Sequence, residues 1–136
     1  MDRLVKRRTG LGLLALPVAC LVASCAPTSP EVELPREWGD ELTGVSIVLR
    51  PDGTGTVVDL PLGDGSEDCE SGDLEHFSGD IEWAGVGEFE YAVTINGRQR
   101  SLWVDVERLG SANPEEVTFL PCEGVADWRS AVTLYG

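Results

Sequence analysis

Two hydrophobic patterns divide this chain. From Leu11 to Ser24 the residues are apolar or small and none is charged, whereas from Trp38 onward apolar and polar residues alternate with a period of two. The first run is shorter than the roughly 20 residues a membrane-spanning helix needs. The alternation is that of antiparallel strands with one buried face. Val45, Ile47 and Leu49 alternate with Ser46 and Arg50, and Thr56, Val58 and Leu60 follow on alternate positions. Phe77, Ile81 and Trp83 alternate with Ser78, Asp80 and Glu82, and Phe89, Tyr91, Val93 and Ile95 with Glu88, Glu90 and Thr94. Further strands are expected at Val117 to Leu120 and Trp128 to Leu134. No segment has a helical period.

Turn chemistry joins these segments into hairpins. Pro51-Asp52-Gly53-Thr54 forms one turn. Asn96-Gly97 forms another, because a two-residue type I′ turn needs positive φ at both positions. That turn sets the register of the central hairpin. With Ile95 opposite Arg98, Tyr91 faces Leu102 and Phe89 faces Val104, so one face stays apolar across the pair. On the other face Trp103 falls opposite Glu90, and Glu88 opposite Asp105. The expected fold is all-β: an antiparallel meander of six to seven strands, closed into a small barrel or left as a curled sheet. A chain of hairpins offers no βαβ unit, hence no dinucleotide-binding site of that kind.

The uncharged run gains meaning from its flanks. It follows Arg3, Lys6, Arg7 and Arg8 and runs into Val22-Ala23-Ser24-Cys25. A basic start, an apolar core and small residues before a cysteine make the pattern of a bacterial lipoprotein signal. Residues 1–24 are then a signal peptide, and Cys25 is the lipidated N-terminus of the mature chain. Cys20 is a poorer candidate, with Pro17 three residues upstream where Cys25 has Val22. An ordinary cleaved signal ending at Val22-Ala23-Ser24 is the competing reading. A diacylglyceryl group carries at least two acyl chains, enough for stable anchoring where one is not. Residues 26–36 hold three prolines and read as an extended tether. The β domain is then residues 37–136.

Charge narrows the partners. The leader holds four of the ten basic residues and one of the twenty-four acidic ones, leaving 6 against 23 from Cys25 onward, a net of −17. That balance excludes a nucleic-acid partner, which rewards clustered Lys and Arg. It also excludes electrostatic adhesion to anionic lipid, so the membrane is reached through the lipid on Cys25. Every basic residue of this part is arginine, a bias that GC-rich genomes produce. Cys69 and Cys122 remain after processing, and an exported chain is expected to pair them. The paired-ligand spacing of a zinc site is lacking, and no metal or other cofactor is expected.

The stretch LPREWGDELTGVSIVLRPDGTGTVVDLP resembles the opening of a family of small actinobacterial lipoproteins of uncharacterised activity. Trp38 after the tether, Gly44 to Leu49, Asp52-Gly53-Thr54 and Leu60-Pro61 carry the likeness, with Ser78 to Trp83 and Asn113-Pro114 before Val117-Thr118-Phe119. The resemblance spans most of residues 37–121 and implies a lipocalin-like β meander. It implies no catalytic residues.

Chemistry-bearing residues are few. His76, the only histidine, has Ser71, Ser78, Asp73 and Asp80 as candidate partners, but no Gly-x-Ser-x-Gly elbow is present. The loop Gly63 to Asp73 carries five acids without the regular frame of an EF-hand. Trp103 on the outer face, opposite Glu90, is the candidate binding surface, because tryptophan is enriched at binding hot spots. The expected function is a lipid-anchored, non-enzymatic β module on the extracytoplasmic face of the cell membrane, binding an unidentified ligand or protein. A structural envelope protein without a discrete site and a small hydrolase are the alternatives.

Overall fold

A computed structural model describes residues 28–64, 67–122 and 130–136. Eight strands form a closed antiparallel barrel in sequence order: β1 (Arg36–Asp40), β2 (Val45–Leu49), β3 (Thr54–Leu62), β4 (Glu75–Gly85), β5 (Glu90–Ile95), β6 (Arg98–Val106), β7 (Ala112–Leu120) and β8 (Val132–Tyr135). The barrel is the closed form of the expected meander, with one strand more than the upper count. The additional strand is β1, which the sequence hid behind Pro35 and a single buried side chain, Trp38. A five-residue helix, α1 (Glu67–Ser71), interrupts the β3–β4 connection where no helix was expected. Trp128 lies outside the described residues, and β8 begins at Val132.

Strand direction alternates, so the turns gather at two ends. The lower end holds turns 51–53, 86–89 and 107–111; the upper end holds 41–44, the 63–74 loop and 96–97. At Asn96-Gly97 the φ angles are 50° and 76°, the left-handed pair a type I′ turn requires. The expected register follows, with Ile95 opposite Arg98, Tyr91 opposite Leu102 and Glu90 opposite Trp103. Phe89 accepts the last bond of this ladder from the amide of Val104, at 2.7 Å. The expected Glu88–Asp105 pair does not form. A register shift after Val104 turns Asp105 toward Asn113 of β7 instead. In the β2–β3 turn, the Asp52 carboxylate accepts from the Thr54 hydroxyl at 2.6 Å and the Thr54 amide at 3.0 Å. These bonds, the hydroxyl's first, hold the Asp52 carboxyl below its ordinary range.

Inward positions fill the barrel. Trp38, Ile47, Leu49, Leu60, Tyr91, Leu102, Phe119 and Leu134 are fully buried, with Val57, Val93, Val104 and Val117 beside them. Closure itself rests on little: β1 and β8 share one residue pair, Gly39 with Tyr135. The Trp38 indole reinforces it, donating across the seam to the Pro114 carbonyl of β7 at 2.7 Å. Trp83 closes the lower end under the β2–β3 turn, donating to the carbonyls of Arg50 (2.8 Å) and Thr54 (3.0 Å).

The segment read as a tether is in part packed on the domain. Pro30 is buried, and Val32 and Leu34 pack against the core. Ser29 lies so close to Gly85 that a methyl group there would come within 2.5 Å of its side chain. Glu31 and Glu33 point outward between them, so the last residues of the segment behave as a short strand-like plug rather than a spacer.

A cation closes the upper end. Arg100 shares the inward face of β6 with Leu102 and Val104 and is 4% exposed. Its Nε donates to Pro121 O at 2.8 Å, Nη1 to Gln99 O at 2.8 Å and Nη2 to Gly63 O at 2.7 Å. Gly63 in turn donates its amide to Pro121 O at 3.0 Å. Cys69 and Cys122 form the expected disulfide, with Cα atoms 6.1 Å apart, directly over Gly63. A side chain at 63 would overlap both sulfurs. Arg100 thus ties the end of β3 to the end of β7, and the disulfide ties α1 to Cys122, just past the end of β7. Chain-entropy arithmetic assigns such a bridge about 4 kcal/mol.

Two expectations follow. Arg100→Met should lose about 2–4 kcal/mol, because it removes charge-assisted hydrogen bonds and strands the Gly63 carbonyl. An unchanged urea midpoint would show the arginine to be dispensable. Tyr91 gives the opposite sign. Its hydroxyl is buried with no hydrogen-bond partner among the described residues, and its ring stands edge-on to Trp83 at 5.2 Å. Burial pushes its pKa up to about 12. The unfolded chain, ionising near 10, releases this proton first, so stability is lost as pH rises from about 10 to 12. Tyr91→Phe should add about 1 kcal/mol at pH 7 and lessen the alkaline loss. Denaturation curves at pH 7 and 11 measure both.

Candidate functional site

The side chains that face solvent decide where a ligand can meet this barrel. On β5 to β8 the inward set fixes the outward one, since successive residues alternate. Glu90, Trp103, Thr118 and Thr133 fall in one cross-strand row. Ser101 and Asp105 flank Trp103 along β6, and Glu116 stands opposite Tyr135 in the next row. The sequence-predicted pair is therefore brought together: Glu90 and Trp103 are Cα partners. Trp103 is half-buried, on β6 between β5 and β7, while Tyr135 is 60% exposed. The Ser101 hydroxyl donates to Glu90 Oε1 at 2.9 Å and holds that carboxylate beside the indole.

Sequence reasoning missed the second carboxylate pair. The shift after Val104 brings Asp105 to Glu116. Their hydrogen bond comes first, then slight desolvation and the like charge, in raising Glu116 above the ordinary carboxylate range. Only the β6–β7 register reveals this contact, and the bulge that sets it leaves no mark in a period-two pattern. The face thus offers an aromatic platform bordered by Glu90, Asp105 and Glu116. Its residue types suit a ligand carrying hydroxyl or amino donors, with a ring or aliphatic surface to lie on Trp103.

The other candidates are placed as follows. His76 meets none of the partners considered above through its ring. Its Nδ1 lies 3.1 Å from Asp59 O and 3.4 Å from Asp59 Oδ1. Both are acceptors, so Nδ1 carries the proton. Asp59 sits at φ 53° in the β3–β4 bulge, and its amide donates to the Ser78 hydroxyl at 2.8 Å. His76 and Ser78 both serve to brace that bulge. Among the described residues no serine hydroxyl bonds the imidazole. In the acidic loop, Asp68 accepts from the Asp64 amide at 2.7 Å, and Asp64 pairs with Arg98 at 3.1 Å. Among the described residues no three acids, cysteines or histidines converge as metal ligands. A groove of about 640 Å³ opens beside β4, between Arg50, Thr54, Asp80, Glu82, Thr94 and Asn96. Cys25 lies outside the described residues. Compared with known proteins, the chain matches no family model, no curated protein and no solved structure.

The Asp105–Glu116 pair yields a pH test. A raised folded-state pKa means that the folded barrel holds this proton more tightly than the unfolded chain. Its stabilising contribution is full below the ordinary Glu value near 4.3 and is lost as pH rises through the folded value. Glu116→Gln keeps a hydrogen-bond donor toward Asp105 without the charge. It should be neutral or stabilising by up to about 0.5 kcal/mol at pH 7, with the difference vanishing at pH 4. A lower urea midpoint for the variant at pH 7 would contradict the repulsion.

Proposed function

We propose that this protein is a lipid-anchored, extracytoplasmic binding module: a small β-barrel fixed to the cell membrane through Cys25 that engages its ligand or partner on the outer face around Trp103. The N-terminal pattern ending in Val22-Ala23-Ser24-Cys25 supports the anchoring. The disulfide Cys69–Cys122 agrees with an exported, oxidising setting. A role by binding rather than catalysis is supported by His76 and Ser78, since the imidazole Nδ1 and the hydroxyl both meet Asp59 in a bulge and not each other.

The observation that carries the choice of face is the filled interior. Lipocalin-type barrels hold ligands inside; here Trp38, Tyr91 and Phe119 occupy the centre. Recognition is thereby moved to the outside of the sheet, where Trp103 and Glu90 stand together. The resemblance to small actinobacterial lipoproteins belongs to this same reading.

Two measurements test it. Metabolic labelling with an alkyne fatty acid should mark the wild-type chain and leave Cys25→Ala unmarked, and undiminished label on the variant would overturn the anchor. For the face, host envelope fractions containing glycan, lipid or protein are titrated against the purified domain. Binding of one fraction by the wild type should fall at least about tenfold in Trp103→Ala, the loss a hot-spot aromatic brings. Equal binding by both would move the site elsewhere.

A further inference from the structure

We propose that the lower end of the barrel rests on the bilayer, with turns 86–89 and 107–111 at the lipid headgroups. The inference rests on the reading of Cys25 as the lipidated residue. Its geometric ground is the docked N-terminal segment. Ser29 is held against Gly85 at the lower end, and Pro30, Val32 and Leu34 are packed from there up to β1. The chain therefore leaves the barrel at a fixed place, next to the β4–β5 turn. From Thr28 back to Cys25 there are three residue steps, at most about 11 Å of extended chain. Had residues 26–36 all been free, the reach would have been roughly 30 Å. A diacylglyceryl cysteine sits at the membrane interface, so a leash this short brings the lower end to the headgroup layer.

The surface presented there fits that neighbour. Val86 is 49% exposed, Val106 52% and Leu109 95%, and all three stand at the lower end. Leu109 is at the tip of its turn, where Gly110 at φ 77° donates its amide back to Glu107 O at 2.9 Å. Arg36, Arg50 and Arg108 share this end with Asp52, Glu88 and Glu107 and with Glu31 and Glu33 of the docked segment, so charge does not draw it to the bilayer. The occupant is the outer leaflet of the anchoring bilayer, held by the covalent leash and only assisted by these side chains. Three scattered apolar residues would not bind a membrane unaided. With the barrel standing on its lower end, the Trp103 face is turned sideways, open to solutes and neighbouring proteins.

The test uses the full lipidated chain in phosphatidylcholine vesicles. A nitroxide is attached at Leu109→Cys or, as the opposite-end reference, at Leu42→Cys, which replaces a side chain 96% exposed on the β1–β2 turn. Both sites are exposed turns, so the fold should tolerate the label, and the disulfide leaves Cys69 and Cys122 unreactive. Power-saturation spectra should show the Leu109 label shielded from an aqueous nickel chelate and accessible to oxygen. The Leu42 label should remain as water-exposed as in the unlipidated domain. Inserting twelve Gly/Ser residues after Ala26 should restore aqueous exposure at 109. Equal aqueous exposure at both positions, on chains whose intact mass includes the diacylglyceryl group, would overturn the orientation while leaving the anchor standing. Chains whose mass lacks the lipid would overturn the anchor, and the orientation with it.

Discussion

Closure is the constraint on which this molecule depends. Eight short strands in a row leave two edges whose backbone groups invite foreign strands unless the first and last meet. They meet here through one residue pair, Gly39 with Tyr135. The thin seam is bridged by Trp38, whose ring is buried in the core while its N–H reaches past β8 to Pro114. One side chain therefore does two jobs: it fills the centre of the barrel and ties the first strand to the seventh. Removing it would open both the core and the cylinder. The same arrangement packs the interior, because the barrel closes around the fully buried side chains of Trp38, Tyr91 and Phe119.

The upper end shows how an acidic domain uses a buried cation. Arg100 donates to the carbonyl oxygens of Gly63, Gln99 and Pro121, which belong to three separate stretches of chain. Its charge is spread over backbone dipoles that would otherwise face apolar surroundings. The disulfide beside it then locks α1 covalently to Cys122, just past the end of β7. A small core is reinforced at the level of Gly63, whose missing side chain makes room for both sulfurs.

Much of this fold was legible because its signals are local. Asn96-Gly97 dictates a turn, the turn dictates a register, and the register places Glu90 beside Trp103 without further information. Arg100 was missed, although it shares the parity of Leu102 and Val104, because a charged residue on an apolar face invites dismissal. What escaped were features set by two strands at once. The bulges at Val57/Leu60 and Val104/Asp105 arise from how neighbours fit, and the first flips the parity of β3, so that Val57 faces inward and Val58, expected on the same face as Leu60, is exposed. The first puts Asp59 in a left-handed conformation and gives His76 its partner; the second makes the Asp105–Glu116 contact. β1 and the docked Val32 and Leu34 were hidden by prolines. The Glu31-Val32-Glu33-Leu34 alternation was present, but Pro30 and Pro35 at its borders suggested a spacer.

One strand overhangs its neighbour. The β4–β5 pairing runs only from Glu82–Thr94 to Gly85–Tyr91, so among the described residues β4 below 82 has β3 on one side and no strand on the other. An unpaired stretch of this kind is the usual starting point for copies of a chain to zip together. Here it carries Glu75 and Asp80, and the bulge braced by His76 interrupts its hairpin with β3. A second molecule offering the same edge would set these acids against their own likeness. Where copies of the chain are crowded together, that repulsion disfavours a sheet shared between neighbouring barrels.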